Sequence, residues 1–150
     1  MANILIAVTG SIASYKSADL VSSLKKQGHD VTVLMTEAAR EFIQPLTLQV
    51  LSQNPVHLDV MKEPYPDQVN HIELGKRTDL FIVAPATANT IAKLAHGFAD
   101  NMVTSTAIAL PSHIPKLLAP AMNTKMYDHP ATQANLKTLE TYGYQIISPK

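Results

Sequence analysis

The stretch "NILIAVTGSIASYKSADLVSSLKKQGHDVTVLMT", Asn3 to Thr36, decides the fold. It opens with an apolar run, Ile4 to Val8, that shows no polar alternation and stops at Gly10. Such a run reads as a strand covered on both faces. Ser11 follows, and then "SYKSADLVSSLKKQ" sets Ala18, Val21 and Leu24 at helical spacing, with Gly28 as the stop. "DVTVLMT", Asp30 to Thr36, is a second apolar strand. Strand, helix and strand in this order imply a parallel pair joined by a right-handed crossover.

The rest of the chain repeats the unit. "EAAREF" and "PLTLQVLSQ" read as short helices separated by Pro45, and "PVHLDV" as a short strand. Met61 to Asn70, "MKEPYPDQVN", reads as a loop because of its prolines and polar residues. "DLFIVA" (Asp79 to Ala84) is a buried strand, "TANTIAKLAHG" and "NMVTSTAIAL" are helices around Gly97, and "IPKLLAP" is another strand. "ATQANLKTLETYG" is a helix ending at Gly143, and "YQIIS" is a last strand. The expected fold is a single α/β domain over residues 1–150, a three-layer α/β/α sandwich on a parallel sheet, Rossmann- or flavodoxin-like.

Composition narrows the classes. The chain has 150 residues, 46% apolar and 16% charged, with net charge zero, which is the balance of a packed globular domain. Nucleic acid is not an expected partner, because phosphate neutralisation needs clustered Lys and Arg, and the nearest cluster is Lys25-Lys26. The absence of cysteine removes disulfides and thiolate metal sites, and no histidine pair has convincing metal-ligand spacing, so no metal is expected. "MANILIAV" lacks a basic leader, and no apolar run approaches the roughly 18 residues of a membrane span. A cytoplasmic, soluble protein is expected.

In open parallel sheets ligands sit at the carboxyl ends of the strands. The four exits are "TGSIAS", "MTEAAREF", "APATANT" and "APAMNTKM", all rich in small or hydroxyl residues and expected along one rim. Gly10 and Ser11 stand at a helix start, where exposed N–H groups suit a phosphate; equally, they form a tight turn with Ser11 as a cap. Thr36 stands where a nicotinamide site wants an acidic residue, which fits a mononucleotide better. "APATANT" lets a flat ring approach the backbone, or starts a helix capped by Thr87 or Asn89. Asp100 and Asn101 read as a helix cap. "LLAPAMNTKMYDHP", Leu117 to Pro130, sets Met122 and Met126 around Asn123, a place to hold something flat and partly polar. His71, after the loop, is by pattern a structural histidine.

Four segments together carry a family resemblance: "GSIASYK" (Gly10 to Lys16), "PATANT" (Pro85 to Thr90), "GFADN" (Gly97 to Asn101) and "PAMNTKM" (Pro120 to Met126). With them the chain resembles, over essentially its whole length, the homo-oligomeric flavin-containing cysteine decarboxylases. Among these it is most similar to the phosphopantothenoylcysteine decarboxylases of coenzyme A biosynthesis. The resemblance implies FMN, with its phosphate near Gly10, Ser11 and Ile12 and its ring near Thr36, Phe42, Pro85, Ala86, Thr87, Asn89 and Thr90. Asp100 and Asn101 would reach the flavin from or across a subunit interface, in a homo-oligomer of one trimer or a dodecamer of trimers. Asn123 would grip the substrate carboxylate, with Ala121, Met122 and Met126 around it, and His71 would be the active-site histidine.

The implied reaction converts 4′-phosphopantothenoylcysteine, a small-molecule substrate, into 4′-phosphopantetheine. The cysteinyl end is oxidised to a thioaldehyde, carbon dioxide leaves, and the enethiol is reduced. His71 would move the proton at the oxidation step. Two features depart from the family pattern. Tyr127 stands where the family often has Trp, and the substrate flap with its cysteine is expected to be missing, because the sequence contains no cysteine and stops at Lys150. The alternatives are a lantibiotic-type peptidyl-cysteine decarboxylase, a prenyl-flavin synthase, a non-catalytic flavin-binding regulatory subunit and a flavodoxin-like electron carrier. "PAMNTKM" speaks against the carrier and the synthase, and His71 with Asn123 against the inert subunit.

Overall fold

A computed structural model describes residues 1–59 and 70–148, with only the backbone of residues 70 and 71. The apolar runs become β1 (Asn3–Val8), β2 (Asp30–Met35), β3 (Leu80–Ala86) and β4 (Lys116–Pro120), and Tyr144–Ile146 forms the short β5. Among the described residues all five pair in parallel, in the order β2-β1-β3-β4-β5. The chain runs outward from β1 to β2, then crosses to β3 on the other side. The carboxyl ends of β1 and β3 therefore flank the switch point where ligands bind in such sheets.

Alternate residues of β1 face opposite layers. Ile4, Ile6 and Val8 join Val31, Val33 and Met35 of β2 in one core cluster. Val21 of α1 (Lys16–Lys26) and Leu48 of α2 (Pro45–Ser52) close that layer. Leu5 and Ala7 face the other way, with Phe81, Val83 and Leu118. They pack against Leu74 of α3 (Asn70–Arg77), Ile91 and Leu94 of α4 (Ala88–Ala95), Met102 and Val103 of α5 (Met102–Ile108) and, past α6 (Thr124–Asp128), Leu136 and Leu139 of α7 (Pro130–Thr141). Phe81 is fully buried, a contribution of about 1.5–3 kcal/mol for a side chain of this type.

The layers are uneven. Parallel sheets are normally covered on both faces. Ala84, Leu117 and Ala119, on the α1 side of β3 and β4, are only half-buried. A cavity of about 470 Å³ opens there between them and α1, lined by Leu20, Ala84, Ala119 and Ala121.

Four local readings change. The segment "PVHLDV" is no strand among its described residues: His57 alone bridges to Leu34 at the outer edge of β2. Pro55 offers no N–H to a ladder, and the two bonds are His57 N–H to the Val33 carbonyl and Met35 N–H to the His57 carbonyl. The sequence gives no sign of α3, whose "NHIELGKR" holds only Ile72 and Leu74 as large apolar residues. β3 continues past Ala84 through Pro85 to Ala86, where the Ala86 carbonyl accepts from Ala121 N–H at 3.0 Å. "TKMYD", given no element of its own from sequence, forms a short helix, α6, ahead of α7. Of the loop read at Met61–Asn70, all but Asn70 lies outside the described residues. Among the described residues, no helix is long and apolar enough to cross a membrane.

Candidate active site

The exits of β1 to β4 form one ledge, stitched sideways by hydrogen bonds. Thr9 contributes most: its N–H and its hydroxyl both donate to the Pro85 carbonyl, at 3.3 and 2.6 Å. Its Oγ1 also accepts from Thr87 N–H at 3.0 Å. On one side Thr36 N–H donates to the Val8 carbonyl at 3.1 Å; on the other, Ala121 N–H donates to Ala86. Gly10 allows the ledge to close. A Cβ there would stand 2.6 Å from Cβ and 2.9 Å from the carbonyl carbon of Ala38, so the short 3-10 helix Ala38–Glu41 rests directly on the exit of β1.

A cleft of about 590 Å³ opens at this ledge, within the roughly 300–1,000 Å³ typical of ligand sites. It brings together Gly10, Thr36, Thr87, Asn89, Thr90, Asp100 and Asn101, as the sequence predicts. Thr87 caps α4, its Oγ1 accepting from Thr90 N–H at 3.2 Å. The hydroxyls of Thr36, Thr87 and Thr90 and the first turn of α4 form one polar wall of the cleft, with the Thr87 hydroxyl donating to Thr90 Oγ1 at 3.3 Å. Glu37, Glu41 and Lys93 also line the cleft and were not singled out from sequence. Lys93 follows Asn89 and Thr90 at helical spacing, a signal that places it on the same face.

Lys93 is bound to Asp100, with Nζ 2.7 Å from Oδ2. This hydrogen bond holds the Asp100 carboxyl below its ordinary value of 3.8 against the opposing effect of desolvation, with the lysine charge and a hydrogen bond from Thr104 adding to it. The pair therefore persists above that value and is lost as pH falls through the lowered one. Lys93 offsets one of the three carboxylates that line the cleft, Glu37, Glu41 and Asp100. Asn101 Oδ1 accepts from Thr104 N–H at 2.8 Å and caps α5.

Other expected residues lie off this cleft. Ser11 is the cap that the alternative reading allowed: its Oγ accepts from Ala13 N–H, and its own N–H donates to Ser14 Oγ. Those two amides are committed within the turn, as Thr87 N–H is to Thr9 Oγ1 and Thr90 N–H to Thr87 Oγ1. Ile12 and Phe42 are exposed, at 83% and 47%. Pro85 lines the neighbouring 470 Å³ cavity with Ala121, and Ala86 is fully buried in the sheet. Met122 packs on the core, whereas Met126 is exposed. Asn123 caps α6, its Oδ1 accepting from Met126 N–H at 2.9 Å. That bond fixes the amide's orientation and leaves Nδ2, a double donor, pointing away from the helix end. His71 is the second residue of α3.

The whole chain, residues 1–150, matches the family described as Flavoprotein. The chain belongs to the flavoprotein family. This flavoprotein is 63% identical over 147 residues to the probable phosphopantothenoylcysteine decarboxylase of Streptococcus mutans, a match covering 98% of this chain and 82% of the relative. It is 48% identical over 147 residues to the coenzyme A biosynthesis bifunctional protein CoaBC of Bacillus subtilis, covering 98% of this chain but spanning only 36% of that protein. The FMN-dependent cysteine decarboxylase SpaF superposes with a TM-score of 0.93 at 30% identity, over 100% of this chain and 85% of that one.

Proposed function

We propose that this chain binds FMN at the Thr36–Thr87–Thr90 cleft and decarboxylates 4′-phosphopantothenoylcysteine, giving 4′-phosphopantetheine in coenzyme A biosynthesis. What carries the reading is the 63% identity across 98% of the chain to a probable phosphopantothenoylcysteine decarboxylase, against 30% to the cysteine decarboxylase SpaF. The chemistry FMN supplies when bound is reversible two-electron transfer.

The protein's own groups bind, orient and move protons. Thr36, Thr87, Asn89 and Thr90 offer hydrogen bonds to the phosphate end. Asn123, its Oδ1 held by Met126 N–H, presents two N–H donors to the substrate carboxylate. Met122 and Met126 supply an apolar border that strengthens this contact by excluding water. His71 takes or gives the proton at the cysteinyl end, a role suited to an imidazole titrating near neutral pH. The two electrons taken up at the oxidation step would be returned to the enethiol by the cofactor, and because the sequence contains no cysteine, no thiol of residues 1–150 supplies the proton that this return needs.

A homo-oligomer built from trimers completes the site. Within one chain neither Asn123 nor Phe42 lines the cleft, and the half-buried Ala84, Leu117 and Ala119 leave an apolar sheet face in need of cover. A second copy seated there would cover that face and the 470 Å³ cavity, and a further contact beside Asp100 and Asn101 would close the cleft. The same reading puts the protein in the cytoplasm, acting on small molecules and not on nucleic acid.

FMN titration and carbon dioxide release test this together. His71→Asn is expected to keep FMN and lose release of carbon dioxide from 4′-phosphopantothenoylcysteine. Failure of the parent protein to bind FMN, or release by the variant at the parental rate, contradicts the assignment.

A further inference from the structure

A second cavity, also about 590 Å³, lies away from the ledge. Lys116 and Tyr144 line it, and they begin β4 and β5, so it sits toward the amino ends of those strands. Phe98, Ile108, Leu110 and Tyr142 line it with Tyr144, and His96, Thr104 and Ser112 add polar groups to the wall, His96 Nε2 lying 3.0 Å from Asn135 Oδ1. No Asp or Glu lines it among the described residues.

Lys116 is the unusual group. It is only 7% exposed, yet among the described residues its ammonium makes one hydrogen bond, to the Ile114 carbonyl at 3.1 Å. An ammonium has three donors, and a buried charge without a counter-charge is costly. Burial accordingly pushes the Lys116 pKa down from 10.5. An anion in the cavity would satisfy both the charge and the spare donors. A single lysine balances one negative charge. The carbonyl end of α4, at Leu94 and Ala95, also lines the cavity and disfavours a second.

We propose that this cavity binds a small organic carboxylate with an apolar body, its carboxylate on the Lys116 ammonium and its body against Phe98, Tyr142 and Tyr144. A second copy of this chain is the rival occupant, because Phe98, Ile108 and Tyr142 are exposed at the rim.

Equilibrium dialysis of the FMN-loaded protein with labelled 3-phenylpropionate tests this, with 3-phenylpropanamide as its uncharged counterpart. Saturable binding of one acid per chain is expected, with the amide at least about tenfold weaker, the scale of one hydrogen bond to a charged group. Lys116→Met is expected to weaken the acid by a similar factor and to leave the amide and the FMN content unchanged. The acid–amide comparison on the parent needs no variant, so it stands even if Lys116→Met misfolds. Equal binding of acid and amide, parental acid binding by Lys116→Met, or no saturable binding at millimolar acid overturns the proposal. So does a fall in assembly mass for Ile108→Glu in a parent that binds no acid, which would assign the cavity to a second copy.

Discussion

Gly10 sets the ledge on which the cleft depends, because any side chain there meets Ala38. Gly10→Ala is expected to cost about 1–3 kcal/mol of stability, the usual range for forced overpacking, and to weaken FMN binding as the Ala38 helix lifts. Urea unfolding with FMN titration checks it; parental values of both would show that the ledge yields freely. Lys116 gives a pH signature. Its pKa is lower folded than unfolded, so between the two values the unfolded chain holds more protons, and stability rises with pH. Lys116→Met is therefore expected to be more stable than the parent at neutral pH, with the difference shrinking as pH climbs through that window toward 10.5. A difference independent of pH in thermal unfolding would count against a buried, uncompensated charge. Sequence alone identified Gly10 as a turn residue through its place after an apolar run, but not the contact with Ala38, which depends on how β1 and β2 pair. Thr9 was hidden for the same reason: three of its hydrogen bonds reach Pro85 and Thr87 across the sheet.

Asn123 shows one side chain serving an element and a site at once. It caps α6 through Oδ1, and an aspartate retains that acceptor. Asn123→Asp is thus expected to keep α6 and FMN while losing substrate, since a carboxylate would replace the Nδ2 donors and repel the substrate's own. Asn123→Ala loses the cap too, at about 0.5–2 kcal/mol. Turnover and unfolding measured on both variants separate the roles; parental turnover in Asn123→Asp would remove carboxylate recognition from this residue. Elements were legible where burial is continuous, as in β1 to β4. α3 was not, because Gly75 interrupts its pattern. That glycine reflects close packing, for a Cβ there would lie 3.2 Å from the Ala109 carbonyl oxygen after α5. The "PVHLDV" strand failed for the opposite reason: its alternation is real, but only His57 of its described residues pairs with the sheet.

At the scale of the molecule, the order β2-β1-β3-β4-β5 gathers Gly10, Thr36 and Thr87–Thr90 at one switch point from segments far apart in the chain. The exits were legible as a rim because each follows an apolar strand with small or hydroxyl residues. The acidic lining from Glu37 and Glu41 was not, because which face of a 3-10 helix turns inward is settled by packing. The open sheet face over Ala84, Leu117 and Ala119 leads to a further expectation. Light scattering of the FMN-bound protein at micromolar concentration should give the mass of a trimer or a multiple of trimers, and a monomer mass would refute subunit completion of the site. The most direct measurement mixes FMN-loaded protein with 4′-phosphopantothenoylcysteine in one vessel and a peptide ending in cysteine in another, and identifies the products by mass. Loss of carbon dioxide from 4′-phosphopantothenoylcysteine, with the peptide left intact, is the expected result; an untouched 4′-phosphopantothenoylcysteine, or preferential decarboxylation of the peptide, would contradict it.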